Sequence, residues 1–171
     1  MICVGTQGSG TGLVGLGMWA IGADVTLTDQ ANVLPLTRRN VTATVSRCLG
    51  RGAERIRVLD YQWGTDIASL GPPFDLILAS DLAYDHRAVQ PLIWTLHQLL
   101  VGDMSQVLLA YRCSDVLTAD TLAAERKFFA QLDEHFDVAE VALPLESTTR
   151  EISHVAHYLL RQRKDARALE V

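Results

Sequence analysis

Gly8-Ser9-Gly10-Thr11-Gly12-Leu13-Val14-Gly15 constrains this chain more than any other stretch. A short apolar start, Ile2-Cys3-Val4, precedes it, and an apolar run of helical character follows. Three glycines at alternate positions remove Cβ atoms where a strand must turn sharply into a helix. Such a turn lets backbone approach a ligand closely, and the helix start behind it offers unpaired N–H groups. A tight turn alone is the simpler reading. Glycines this dense at a strand-to-helix junction favour a ligand loop.

Beyond that loop, strand-like and helix-like segments alternate. Residues 2–4, 24–29, 54–60, 74–80 and 106–111 read as strands, rich in β-branched and apolar side chains. Between them, 11–22, 32–47, 86–101 and 118–136 read as helices. Asn32 is the expected N-cap of the second helix, with Pro35 tolerated in its first turn and Leu34, Leu36, Val41 and Val45 on its apolar face. Phe74-Asp-Leu-Ile-Leu-Ala-Ser80 is the strongest strand and suits a central parallel position covered on both faces. Residues 137–143 and 152–160 form two late strands. The link between them is too short for a parallel crossover, so they should pair antiparallel. The expected fold is α/β: a doubly wound, Rossmann-like seven-stranded sheet, mostly parallel with an antiparallel final strand. Residues 1–160 should form one domain, and 161–171 a polar tail.

Composition narrows the function. The 171 residues are 49% hydrophobic and 20% charged, which suits a globular domain with a real core. A net charge of −5 argues against a general nucleic-acid binder. Residues 13–23 are apolar but half the length of a membrane span, so they read as a buried helix, and no membrane role is expected. Cys3, Cys48 and Cys113 are odd in number and lack a CxxC, which fits reduced, mostly packed thiols in a cytoplasmic protein. No basic region marks a signal peptide. His154-x-x-His157 on a strand sends its rings to opposite faces, so no metal site is expected. Cys113 has no evident activating partner. Arg112 beside it can meet a substrate or simply solvent.

Two ligand classes compete for the glycine loop. Gly10-x-Gly12-x-x-Gly15 is formally a dinucleotide fingerprint, with Asp29 following at nearly the right distance. That frame needs an apolar strand running into its first glycine, and Thr6-Gln7-Gly8-Ser9 intervene. The alternative frame is Gly8-x-Gly10-x-Gly12. Asp29 then closes the second strand, Asp60, Tyr61 and Trp63 follow the third, and Asp81 closes the fourth. All should gather at the carboxyl ends of neighbouring strands, where open α/β sheets bind ligands. Asp29 can accept both ribose hydroxyls, and Trp63 can stack on adenine. The loop leaves room for an amino-acid group in place of a pyrophosphate. This arrangement is the one expected for S-adenosylmethionine.

The three stretches Gly8–Gly15, Val25-Thr-Leu-Thr-Asp-Gln-Ala-Asn-Val-Leu-Pro-Leu36 and Phe74-Asp-Leu-Ile-Leu-Ala-Ser-Asp-Leu-Ala-Tyr84 together resemble methyltransferase family 16, the seven-β-strand protein-lysine methyltransferases. The resemblance runs from Gly8 to about Leu160. It implies that Gly8, Ser9 and Gly10 form the loop under the methionine part of the cofactor, with Gly12 completing the cofactor-binding glycine frame. Asp29 then corresponds to the ribose acid, Asp60 and Trp63-Gly64 to the adenine side, and Ser80 to a small pocket residue. Asp81-Leu-Ala-Tyr84 matches the family's Asp-x-x-Tyr signature beside the methyl group, which makes Asp81 and Tyr84 the expected catalytic pair. Thr6 and Gln7 stand where the family usually has an acid and a leucine. The family's segment before the first strand has no counterpart here.

The expected activity is methyl transfer from S-adenosylmethionine to a lysine side chain of a protein substrate. A monomer is expected, located in the cytoplasm and also in the nucleus. Small-molecule or histidine methylation stays open. The alternatives are a catalytically impaired, truncated member acting as a protein-binding module, and an NAD-dependent oxidoreductase.

Overall fold

The computed structural model describes residues 2–71, 73–82, 85–112, 118–142 and 155–163. In chain order these form β1 (Cys3–Gln7), α1 (Leu13–Ala20), β2 (Asp24–Asp29), α2 (Leu34–Arg47), β3 (Ile56–Asp60), β4 (Leu76–Ser80), α3 (Val89–Leu99), β5 (Gln106–Arg112), α4 (Ala119–His135), β6 (Phe136–Glu140) and β7 (Val155–Gln162). One sheet holds all seven strands in the order β3-β2-β1-β4-β5-β7-β6. Strands β1 to β5 run parallel, and β7 lies antiparallel to both β5 and β6. The doubly wound sheet with an antiparallel end is therefore present as expected. Its order reverses between β1 and β4. Crossovers leave in opposite directions there, and a crevice opens at the strands' carboxyl ends.

Alternation along the central strands feeds two cores. Ile77 and Ala79 join Leu92, Ile93, Leu96, Phe128, Leu132 and Phe136 on the side of α3 and α4. Val4, Val25, Leu27 and Leu78 point the other way, toward Leu16 and Trp19 of α1. On that second face α1 and α2 pack over β1, β2 and β3. Beyond α1, an open hollow of about 310 Å³ lies over β4 and β5, lined by Val14, Leu78, Leu108 and Ala110, with His157 at its edge.

Several element limits differ from the sequence reading, each for a packing reason. β1 continues two residues past Gly5, through Thr6 and Gln7, because both its neighbours offer ladder partners there: Thr6 sits opposite Leu27 and Leu78, and Gln7 opposite Ala79. Helix α1 is not fully buried. Only Gly15, Leu16 and Trp19 meet the sheet, while Leu13, Val14 and Ile21 are 60–79% exposed. Asn32 does not cap α2. The helix begins after Val33 without a side-chain cap, although Pro35 does sit in its first turn. On α2 the buried residues are Leu34 and Thr37, and Leu36 faces solvent. Cys48 is exposed rather than packed. Thr118 does cap α4, its hydroxyl accepting from the Thr121 amide. β7 runs to Gln162, so the first two residues of the expected tail belong to the sheet. Cys113, His154, the 144–151 link and residues 164–171 lie outside the described residues.

Tight helix-to-strand contact at Gly15 sets the depth of α1. A Cβ there would fall 2.1 Å from Leu27 Cδ2 and 3.2 Å from Val25 Cγ1, both on fully packed β2. Gly17, two positions on, has nothing within 4 Å of its Cβ position. Gly15→Ala should therefore destabilise by about 1–3 kcal/mol through overpacking. Gly17→Ala should stabilise by about 0.5–1 kcal/mol through helix propensity. Urea unfolding of the two variants checks the opposite signs.

Burial, with His135 nearby, pushes the His97 imidazole below the ordinary histidine range. The unfolded chain then binds the proton more readily than the folded one, so stability is lost as pH falls below about 6.5. Unfolding free energy should drop between pH 7 and 5, and His97→Gln should flatten part of that drop in denaturation curves.

Candidate active site

The crevice at the β1/β4 switch point is built on the glycine loop. Gly8, Gly10 and Gly12 all adopt positive φ, at 62°, 53° and 80°. At Gly8 the need is double, because a Cβ would also sit 2.6 Å from Leu82 Cδ2. Side chains from two other elements hold the loop. Asp29 Oδ2 at the end of β2 accepts from the Gly10 amide at 2.7 Å. Thr37 of α2 donates to the Gly10 carbonyl at 2.6 Å, and Asn40 Nδ2 donates to the Thr11 carbonyl at 2.9 Å. The Ser9 amide donates to Thr28 O at 2.9 Å.

Around this loop lies a cleft of about 430 Å³, within the range of small-molecule sites. Gly8 and Gly10 form its floor, Asp29 and Gln30 one side, Tyr61, Gln62 and Trp63 another. The second carboxylate oxygen of Asp29 accepts from the Gln30 amide at 2.8 Å. One lone pair remains on each oxygen, enough to receive two hydroxyls. Trp63 crosses toward the loop: a Cβ on Gly8 would lie 3.7 Å from its Cζ2. Ser80, Asp81 and Leu82 close the β4 side, with Asp85, Arg87, Ala88 and Pro91 at the rim.

Asp81 has φ of 51°, a left-handed conformation that aspartate tolerates better than most residues. Its amide donates to Ala110 O at 3.2 Å, and its Oδ1 accepts from the Arg112 amide at 3.0 Å. One carboxylate oxygen is thus committed to the end of β5, and the other has no partner among the described residues. Asp85 takes a two-pronged contact from Arg87, at 3.1 Å from Nε and 2.9 Å from Nη2. Those hydrogen bonds hold its carboxyl at about 2, well below the usual range. Three carboxylates against one guanidinium make the cleft acidic, a setting for cationic ligands.

Of the residues singled out from sequence, Gly8, Gly10, Asp29, Trp63, Ser80 and Asp81 share this cleft. Three others do not line it. Ser9 faces the neighbouring hollow, and its hydroxyl has no partner among the described residues. Gly12 is the N-cap position of α1, wedged against Thr37 and Leu27. Asp60 pairs with Asp29 in the sheet and is exposed. Tyr84 lies outside the described residues. Thr6 and Gln7 are almost fully buried, and Thr6 Oγ1 and both Gln7 amide atoms find no partner among the described residues. Sequence reasoning missed Gln30, Gln62, Asp85 and Arg87 in the cleft wall, and Thr37 and Asn40 behind the loop. Position alone could have flagged the first two, which follow strand ends.

Residues 5–135 match the profile of the lysine methyltransferase family, well over half of the chain. The chain belongs to the lysine methyltransferase family. Protein N-lysine methyltransferase METTL21A of Danio rerio is 33% identical over 137 residues, 78% of this chain and 57% of that protein. EEF1A lysine methyltransferase 3 of Xenopus tropicalis is 34% identical over 103 residues, 60% of this chain and 43% of that protein. The chain thus spans about half the length of these curated relatives. Among solved structures, the glycopeptide N-methyltransferase MtfA in complex with S-adenosyl-L-methionine shares the fold at TM-score 0.70 and 12% identity, over 95% of this chain and 88% of that one. The family resemblance read from the three motif stretches is borne out.

For this member of the family the loop's anchorage is open to direct test. Thr37 is fully buried, so Thr37→Val keeps its shape and removes only the bond to Gly10 O. The variant should lose about 1 kcal/mol of stability by urea unfolding. Asn40→Ala, on an exposed contact, should lose less.

Proposed function

We propose that this chain binds S-adenosylmethionine in the cleft and transfers its methyl group to a lysine side chain of a protein. The carrying observation is the meeting of the glycine loop, Asp29, Trp63 and Asp81 in one acidic crevice at the carboxyl ends of β1, β2 and β4. Residues present fit the cofactor part by part. The remaining lone pairs of Asp29 suit two ribose hydroxyls, and Trp63 offers a face for adenine. Gly8 and Gly10 allow backbone approach to the methionine end. When bound, the group supplies an electrophilic methyl carbon on a sulfonium.

The chain's own work is placement. A lysine must attack as the neutral amine, and with a reference pKa near 10.4 deprotonation at pH 7 costs about 4–5 kcal/mol. Entry into a closing pocket disfavours the ammonium and lowers that cost. The available oxygen of Asp81 attracts the incoming ammonium and orients the amine once the proton has left to solvent. Tyr84 is the proposed second wall of the lysine channel, on the strength of the signature alone. A methyl–sulfur bond breaks as the nitrogen–methyl bond forms, and neutral S-adenosylhomocysteine departs. The relative named EEF1A lysine methyltransferase 3 makes EEF1A the first substrate to try.

Calorimetry with S-adenosylhomocysteine and methyl incorporation from labelled S-adenosylmethionine into EEF1A or a cell lysate test this reading. Asp29→Ala should weaken S-adenosylhomocysteine binding at least tenfold, because it removes ribose acceptors and the loop anchor together. Asp81→Asn keeps an acceptor for the Arg112 amide and tolerates the positive φ, whereas Asp81→Ala sacrifices both. Asp81→Asn should therefore bind S-adenosylhomocysteine nearly normally while losing most methyl transfer. Binding with no transfer by the wild type would favour the protein-binding module. Failure to bind S-adenosylhomocysteine would overturn the cofactor assignment.

A further inference from the structure

A threonine outside the cleft sets the wall on which Trp63 sits. Thr95 lies mid-way along α3, fully buried among Leu92, Ile93, Leu96 and Leu99. It is the polar residue on an otherwise apolar helix face, and its hydroxyl is shared between two groups of the 61–65 loop. The Gly64 amide donates to Thr95 Oγ1 at 2.9 Å. Tyr61 Oη lies 3.3 Å from the same oxygen and donates its own proton to Thr65 O at 2.9 Å.

Proton counting fixes the direction of the chain. Tyr61 has one hydroxyl proton, and Thr65 O, a pure acceptor, takes it. Thr95 must then donate to Tyr61 Oη, leaving its lone pair for the Gly64 amide. The sequence runs Gly64 N–H to Thr95 Oγ–H to Tyr61 Oη–H to Thr65 O, with every donor used once. Burial raises the Tyr61 pKa above the usual phenol value, which keeps that hydroxyl protonated and the chain intact. Packing reinforces it. Gly64 has φ of 83°, and a Cβ there would lie 3.1 Å from Pro91 Cβ one turn before Thr95. Trp63 is the residue inside this clamp, and Gln62, Trp63 and Pro91 all line the cleft.

We propose that Thr95 is a positioning residue for the cofactor. Through Gly64 and Tyr61 it locks the 61–65 loop to α3 and so holds the Trp63 ring in place opposite the glycine loop. Thr95 itself does not line the cleft. The inference rests on the S-adenosylmethionine reading for its ligand and on the hydrogen-bond chain for its mechanism.

Thr95→Val, Thr95→Ser and Tyr61→Phe, each in the full chain, test it by two independent readouts. Hydrogen exchange of the Gly64 amide needs no ligand. It should speed up at least tenfold in Thr95→Val while the amides of α3 keep wild-type rates, and return to normal in Thr95→Ser. Calorimetry with S-adenosylhomocysteine should show about tenfold weaker binding by Thr95→Val, the scale of one buried amide left unpaired. Thr95→Ser should restore affinity, Tyr61→Phe should fall between, and where transfer is measurable KM for S-adenosylmethionine should rise with kcat little changed. If Thr95→Val does not fold, Tyr61→Phe and Thr95→Ser carry the same comparison. Wild-type exchange at Gly64 in both Thr95→Val and Tyr61→Phe, or wild-type affinity in both, overturns the proposal. A wild-type protein that binds no S-adenosylhomocysteine overturns the cofactor reading instead, and the exchange data still decide whether Thr95 holds the loop.

Discussion

The hydrogen bond that Asp29 accepts from the Gly10 amide ties the glycine loop to the end of β2, and the cleft depends on it. A run of glycines in left-handed conformations has no side chains of its own to order it, and glycine carries the largest backbone entropy loss on folding. Order must come from outside the loop. Asp29 supplies it from β2, Thr37 and Asn40 from α2, and the ladder of β1 delivers the loop to them. The same carboxylate that orders the loop turns its spare lone pairs into the cleft. Loop order and the cleft wall therefore share one group, and the second strand and second helix shape that loop as well as filling a core.

Much of the fold was legible in the sequence because its signals were strong and local. Strand 24–29 and the core strand ending at Ser80 followed from dense β-branched and apolar runs, and the antiparallel end followed from a link too short to cross over. Limits failed where burial contradicted polarity. Thr6 and Gln7 look like loop residues but occupy ladder positions between two parallel neighbours. Helix α1 looks buried by composition, yet one face of it points to solvent. Of the site, the glycine loop, Asp29, Trp63, Ser80 and Asp81 were readable because each follows a strand's carboxyl end. Thr37, Thr95 and Arg87 were not. Thr37 and Thr95 matter through the backbone groups that they meet 27 and 31 residues away, and Arg87 through its side-chain contact with Asp85 at a turn whose path no single residue encodes.

Polar burial is concentrated around the cleft and has two characters. The Tyr61–Thr95–Gly64 group is satisfied at every atom and stiffens a wall. Gln7, Thr6 and Ser9 lie beside the hollow next to Gly8 with hydroxyl and amide groups that find no partner among the described residues. Asp81 stands between these extremes: one carboxylate oxygen secures the end of β5, and the other has no partner among the described residues. Aspartate suits this position because it tolerates a positive φ that a bulkier or β-branched residue would resist.

Strand order also dictates how this chain must come together during synthesis. Among the described residues β6 pairs with β7 alone, and β7 slots between β5 and β6, with Val107 opposite Leu160. The glycine-loop half of the sheet can assemble from the first eighty residues as they leave the ribosome. The other half cannot, because β6 has no neighbour and β5 shows a bare ladder until β7 arrives. For that interval the nascent protein presents an open β edge, the surface on which chains template one another. The last strand of the chain, inserted between β5 and β6, is thus the one that decides whether a newly made molecule closes on itself or on its neighbour.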